Sequence, residues 1–230
     1  MKILGVESSA TAASCAVLSD GKIIAQSFSN TGLTHSQTLM PMIESTLKCA
    51  SMALSDIDYI AVSNGPGSFT GVRIGVSAVK GLAQPSNIPC VAVSTLETIA
   101  KPLENTGCYA VSVMDARCNQ VYTAQFDCED GFIRKTDDEA ITIDELSEKL
   151  KNIKKTIVLI GDGTQVAYNK LKDKIANIYM ASPSIRYQSA SSVCLIAFEI
   201  IGNGENGVKA HDVLPNYLRL SQAERELKNK

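Results

Sequence analysis

Apolar positions along this chain fall mostly into short blocks bounded by turn residues, which is the pattern of strands alternating with a few helices. Residues 2–8 and 14–19 are apolar runs separated by the small-polar turn Ser8-Ser9-Ala10-Thr11-Ala12, and Asp20-Gly21 then signals a hairpin into a third strand over 22–28. The same plan returns later. Residues 109–114 predict a strand, Asp115-Ala116-Arg117-Cys118-Asn119 a turn, 121–126 a strand, Asp130-Gly131 a second hairpin and 132–135 a third strand. An acid closes the first strand of each copy, Glu7 and Asp115. Each triplet leads to a helix (36–52 and 142–150) and a further apolar strand (57–63 and 156–160). That strand ends in a glycine turn, Gly65-Pro66-Gly67 or Gly161-Asp162-Gly163, that opens another helix. This recurring order points to internal duplication. Residues 189–202 read as a helix with an apolar stripe at Val193, Ile196, Ala197 and Ile200, and either half of the chain could receive it.

Two meanders, each followed by helix, strand and helix, predict an α/β architecture with helices on sheets. The order resembles the actin-like ATPase (ASKHA) fold, in which two ribonuclease-H-like lobes face a nucleotide cleft. That resemblance implies an N-terminal lobe over 1–104 and a C-terminal lobe over 105–230. In active members of the fold, the first hairpin of each lobe holds metal and phosphates. The resemblance therefore makes Glu7, Ser8, Ser9, Asp115 and Arg117 candidates for a remnant cleft.

Composition narrows the function classes. Hydrophobic residues are 45% and charged residues 20%, as in ordinary globular proteins, and the net charge is −2. That balance argues against a chain that grips nucleic acid alone, because phosphate contacts need a concentrated basic surface. The one basic cluster, Arg219, Arg225, Lys228 and Lys230, is interleaved with Glu224 and Glu226. No segment approaches the roughly 20 apolar residues of a membrane span. The start does not read as a signal peptide, since Glu7 interrupts its apolar run. Seven cysteines, scattered and never spaced as CxxC, read as reduced core thiols, which makes the expected compartment cytoplasmic.

The most distinctive string is Asn64-Gly65-Pro66-Gly67-Ser68-Phe69-Thr70-Gly71-Val72-Arg73-Ile74-Gly75. Its glycines permit backbone angles that side chains forbid, and Ser68 or Thr70 can cap the following helix. Such a turn could bind an anion or simply connect strand to helix tightly, and the pattern alone leaves both open. As a whole the string resembles the signature of the TsaB (YeaZ) family. Ile3 to Ser9, His35-Ser36 with Leu39 and Pro41, Asp115-Ala116-Arg117 with Val121-Tyr122, and Leu214-Pro215-Asn216-Tyr217-Leu218-Arg219 agree with it. The resemblance covers nearly the whole chain. It implies a non-catalytic scaffold subunit for the threonylcarbamoyl (t6A) modification of adenosine 37 in tRNAs that read codons beginning with A. It also implies pairing with the catalytic paralogue TsaD, joined by the ATPase TsaE, with tRNA reached only through that complex and a homodimer when alone.

Catalytic readings fare worse. The resemblance implies that the catalytic paralogues carry two helical histidines four residues apart at a metal. Here His35 is followed by Leu39, and the only other histidine, His211, lies far along the chain, so no metal site is expected. An active ATP-dependent kinase or ATPase of the actin-like fold is the alternative reading. Against it, Ser8-Ser9-Ala10-Thr11 and Asp115-Ala116-Arg117 lack the glycines that let backbone approach phosphate. No catalytic residue and no cofactor are expected.

The helix at 36–52 is apolar over about half its circumference, wider than the ~100° stripe that covers one sheet. The next helix carries small residues at Gly71, Gly75 and Ala78, with Leu82, where another backbone could come close. Their own sheet and a partner are equally good neighbours by pattern. The family resemblance implies a partner, and makes Leu39, Met40, Ile43, Leu47, Gly71, Gly75, Ala78 and Leu82 the expected interface.

Overall fold

The computed structural model describes residues 1–32, 34–117 and 119–219. Cys118 and the cluster members Glu224, Arg225, Glu226, Lys228 and Lys230 lie outside the described residues.

The first half builds β1 (Lys2–Glu7), β2 (Ala13–Ser19), β3 (Lys22–Ser29), α1 (His35–Cys49), β4 (Tyr59–Gly65), α2 (Phe69–Ala83), β5 (Cys90–Ser94) and α3 (Thr95–Ala100). The second builds β6 (Tyr109–Asp115), β7 (Gln120–Asp127), β8 (Ile133–Arg134), β9 (Glu139–Thr142), α4 (Ile143–Leu150), β10 (Ile157–Ile160), α5 (Thr164–Leu171), β11 (Ile178–Met180) and α6 (Ala190–Gly202). The first sheet has the order β3-β2-β1-β4-β5 and the second β11-β10-β6-β7-β8. In both, the leading hairpin is antiparallel and the later strands add parallel to the first one. The mixed α/β architecture and the repeated order of elements are therefore as the sequence predicts.

Burial explains the continuous apolar runs, because each sheet is covered on both faces. Leu4 and Val6 of β1 point into a core with Leu39 and Ile43 of α1 and Val72, Val76 and Val79 of α2. Ile3 points the other way, into a core with Val193, Ile196 and Ala197 of α6. The second sheet is sandwiched in the same manner. Val111 and Val113 meet α4 and α5, while Ala110 and Met114 meet Leu96 and Ile99 of α3. The helices that finish the two halves are thus exchanged: α3 covers the second sheet and α6 returns to cover the first. A cut near residue 104 separates the strands but not this packing. At the far ends of the exchanged helices the buried Lys101 donates to Glu104 (2.9 Å) and to Glu199 of α6 (2.6 Å).

One predicted element differs. The third strand of the second meander is broken: β8 pairs with β7 for two residues only, and β9 takes over the rest of that edge. The cause lies just after Lys135, where Asp137 and Asp138 are poor strand formers and the Thr136 hydroxyl competes for a backbone amide. The Gln125 amide bonds to the Thr136 hydroxyl (3.1 Å) instead of a strand carbonyl, and Arg134 turns to Asp138 (2.8 Å) and Glu97 (3.1 Å).

Along α2, two glycines experience opposite surroundings. A Cβ on Gly71 would stand 2.2 Å from the Ser8 carbonyl oxygen, whereas one on Gly81 meets nothing within 4 Å. The same substitution should therefore change sign along one helix. Gly81→Ala should stabilise the fold by about 0.5–1 kcal/mol through helix propensity. Gly71→Ala should destabilise it by roughly 1–3 kcal/mol, because a rigid backbone must move. Urea unfolding midpoints of the two variants check this.

Candidate functional site

The strand ends of the two lobes face each other across a cleft of about 570 Å³ lined by Ser9, Ala10, Thr11, Gly67, Ser68, Phe69, Thr70, Met114, Asp115, Ala116, Arg117, Tyr122 and Asp162. Both walls are built by one device. A parallel strand ends in a glycine of positive φ, Gly65 (+121°) or Gly161 (+120°), a region L side chains rarely adopt. The following turn then presses onto the end of the first hairpin. In the first lobe the Ser68 amide donates to the Ser9 carbonyl (2.7 Å), and a Cβ on Gly67 would lie 2.3 Å from that oxygen. In the second lobe the Gly163 amide donates to the Val113 carbonyl (3.0 Å), and a Cβ on Gly163 would lie 2.8 Å from the Asp115 amide nitrogen. Of the two roles open to the glycine turn, tight connection accounts for its glycines without a ligand. Ser68 then caps α2, its hydroxyl accepting from the Gly71 amide (3.3 Å).

The five cleft candidates divide. Ser9, Asp115 and Arg117 line the cleft. Glu7 and Ser8 do not, because the turn consumes them. Glu7 is fully buried and its Oε1 accepts from the Ser9 amide (2.6 Å) and hydroxyl (2.5 Å). Its burial raises the carboxyl pKa. The Ser8 hydroxyl donates to the Gly71 carbonyl (2.9 Å), stitching β1 to α2. Asp115 accepts from the amide of Arg117 (2.8 Å), which lets Arg117 take its left-handed φ of 62°. The residue missed from sequence is Asp162. It lies between the two glycines of the second turn, so the turn signal hid its chemistry. Burial pushes its carboxyl up to about 6, against the lowering effect of a hydrogen bond from the Asp115 backbone. Its Oδ1 is buried without a hydrogen-bond partner among the described residues.

His35 opens α1, and its Nε2 donates to the Ala10 carbonyl (2.6 Å), pinning the first hairpin turn. Leu39, one turn on, is 1% exposed in the core. Among the described residues no three His, Cys, Asp or Glu side chains cluster as metal ligands would.

The expected interface positions also divide, between the core and the surface of the first lobe. Leu39, Ile43 and Leu47 lie in the core of their own lobe, since the i, i+4, i+8 stripe of α1 is claimed by the first sheet. Gly71 and Gly75 are buried with their open sides against the Ser8 carbonyl and hydroxyl (2.2 and 2.5 Å to an added Cβ). Met40 is 46% exposed. Ala78 and Leu82 are half-buried, and with Ile74 they form a second i, i+4, i+8 stripe beside Met42 of α1.

The model of the family described as TsaD: tRNA N6-adenosine threonylcarbamoyltransferase matches residues 29–227. Over its full length the chain is similar to proteins named tRNA threonylcarbamoyladenosine biosynthesis protein TsaB. The Bacillus subtilis protein is 31% identical over 97% of this chain and 96% of its own length, and the Escherichia coli protein 31% identical over 100% of both. The chain belongs to the TsaB (YeaZ) family. In structure it is similar to YeaZ from Pseudomonas aeruginosa, with a TM-score of 0.76 and 24% identity over 94% of this chain and 99% of that one. The activator of the 2-hydroxyisocaproyl-CoA dehydratase from Clostridium difficile shares the actin-like fold with a TM-score of 0.52 and 13% identity over 88% of this chain and 96% of that one. Members of the TsaB family carry names that place them in t6A biosynthesis, and this chain shares that assignment. No helix among its described residues is long and apolar enough to cross a membrane.

Asp162 gives the TsaB-family cleft a testable pH signature. In the folded chain it holds its proton up to about 6, against the ordinary carboxyl value of 3.8 when unfolded. Its contribution therefore favours folding below the unfolded value, falls as pH rises through that window and stays lost above it. Asp162→Asn should flatten this part of the stability–pH curve and stabilise the chain near neutral pH by up to about 3 kcal/mol. Chemical denaturation from about pH 4 to 8 on both proteins measures it.

Proposed function

We propose that the chain is a non-catalytic scaffold subunit of a t6A-forming complex in the cytoplasm. In this reading it pairs with a TsaD-type threonylcarbamoyltransferase, TsaE joins that pair, and tRNA is reached through the assembly. One observation carries the reading. The chain matches the transferase family model across residues 29–227, yet the helix on which the paralogues place their histidine pair holds His35 on a main-chain carbonyl and Leu39 in the core. The fold is retained while the metal-binding pair attributed to the paralogues is replaced by packing. The cleft residues support the same conclusion. Glu7 is locked into its own turn, and the glycines of the turn serve close packing against the hairpin carbonyls.

The partner face we assign is the half-buried stripe of α2 rather than the buried one: Ile74, Ala78 and Leu82, rimmed by Gly81, together with the exposed Met40 of α1. Half-buried apolar positions at helical spacing offer a groove for another helix, and a homodimer of the free chain would use the same face.

Purified chain with magnesium and ATP should show negligible turnover. TsaD, TsaE, threonine, bicarbonate and tRNA added to it should restore threonylcarbamoyl transfer. Turnover by the chain alone, abolished by Asp115→Ala, would instead establish the ATP-dependent enzyme. Gly81→Arg tests the face, because open space at that position spares the fold. It should weaken TsaD binding about tenfold or more by placing a cation in an apolar contact. Calorimetric titration of a variant with a normal melting curve reads this, and unchanged affinity would rule the face out.

A further inference from the structure

The stretch Leu214 to Arg219 has no part in the reading above, yet its side chains and backbone are held at specific points on both lobes. After α6 the chain runs back over the first lobe. Val208 and Cys90 exchange backbone hydrogen bonds at 2.8 Å, the Lys80 ammonium donates to the His211 carbonyl (3.1 Å), and Ala210 and Val213 enter the core beneath α2. The Asn64 side-chain amide then donates to the Leu214 carbonyl (3.0 Å), and the Asn216 amide donates to the Asn64 carbonyl (2.7 Å). Gly65 makes this fit possible, because a Cβ there would lie 2.3 Å from the Asn216 carbonyl oxygen. Tyr217 stacks on Phe69 with centroids 4.5 Å apart and planes 13° apart. Its hydroxyl accepts from Arg73 Nε (2.7 Å), whose guanidinium lies over both rings at 5.8 and 5.5 Å.

Within two residues the chain reaches the other lobe. Leu218 packs against the core that contains Ala116 and Tyr122, and the Arg219 guanidinium donates to the Ala116 carbonyl (2.7 Å). Phe69 and Ala116 stand on opposite walls of the cleft. Away from the cleft the lobes are joined where α3 and α6 exchange, with Lys101 bridging to Glu199. A joint at one end and a tie at the other restrict rotation of one lobe against the other.

We propose that Leu214–Arg219 is an interlobe latch: it anchors on the first lobe through Asn64, Gly65 and Phe69, on the second through Ala116, and sets the width of the cleft. The latch rests on intrachain contacts alone and does not depend on the identity of any partner. It also gives the Asn64-Gly65 end of the signature string a second role, as the seat of the chain's own C-terminal segment.

The test uses the full chain with spin labels on noncanonical residues at the exposed positions Ser77 of α2 and Lys172 beyond α5. Pulsed electron resonance should give one narrow distance for the unaltered protein. The double variant Tyr217→Ala/Arg219→Ala should give a longer or broadened distribution. Hydrogen exchange at the Asn216 amide should accelerate by about tenfold or more, while β1 and β6 keep their protection. Arg219→Ala alone, which removes a single hydrogen bond to a carbonyl, serves if the double variant does not fold. Its expected result is a broadened distribution with Asn216 still protected. A folded variant whose distance distribution matches the unaltered protein would overturn the latch.

Discussion

Two carbonyl oxygens, those of Ser8 and Ser9, stand where side-chain carbons would have to be if Gly71 and Gly67 were any other residue. That close approach governs the first lobe. It lets α2 start directly against the end of β1, and it turns Ser8 and Glu7 inward to satisfy the buried turn. The Val113 carbonyl and Asp115 amide play the same part against Gly161 and Gly163. The cleft is the space left between two such junctions, and its lining follows from which hairpin atoms the junctions leave uncovered. Backbone contact of this kind tolerates no compensating rotamer, which is why it is recorded in the sequence as glycine.

Much of this was legible in the sequence. The duplicated order of strands and turns was readable because Asp20-Gly21, Asp130-Gly131 and the two glycine turns punctuate it at matching places, and both glycine turns adopt the same rare φ. The strand bounds were readable because both faces of each central strand are buried, leaving uninterrupted apolar runs. The broken third strand was not, since Phe132 to Lys135 satisfies the local pattern. Only the competition of the Thr136 hydroxyl for the Gln125 amide divides it.

The site was less legible than the fold. Periodicity shows that a helix face is apolar but not what covers it. The stripe of Leu39, Ile43 and Leu47 therefore reads identically as core or interface until the sheet behind it is known. Gly71 and Gly75 raise the same ambiguity, since a small residue admits a neighbouring backbone without saying whose. Asp162 was obscured for a different reason: a turn Asp between glycines is ordinary, and only burial in three dimensions pushes its carboxyl up to about 6.

The exchange of α3 and α6 has a consequence for how this chain is made. The face of the first sheet formed by Ile3, Ala16, Leu18, Ala61, Val91 and Val93 is closed by a helix that begins only at Ala190. During synthesis that sheet is complete at Ser94, but one apolar side stays uncovered while the whole second set of strands is translated. The nascent first lobe is therefore a natural client for chaperones, and its two ancestral halves, though built alike, can no longer mature independently.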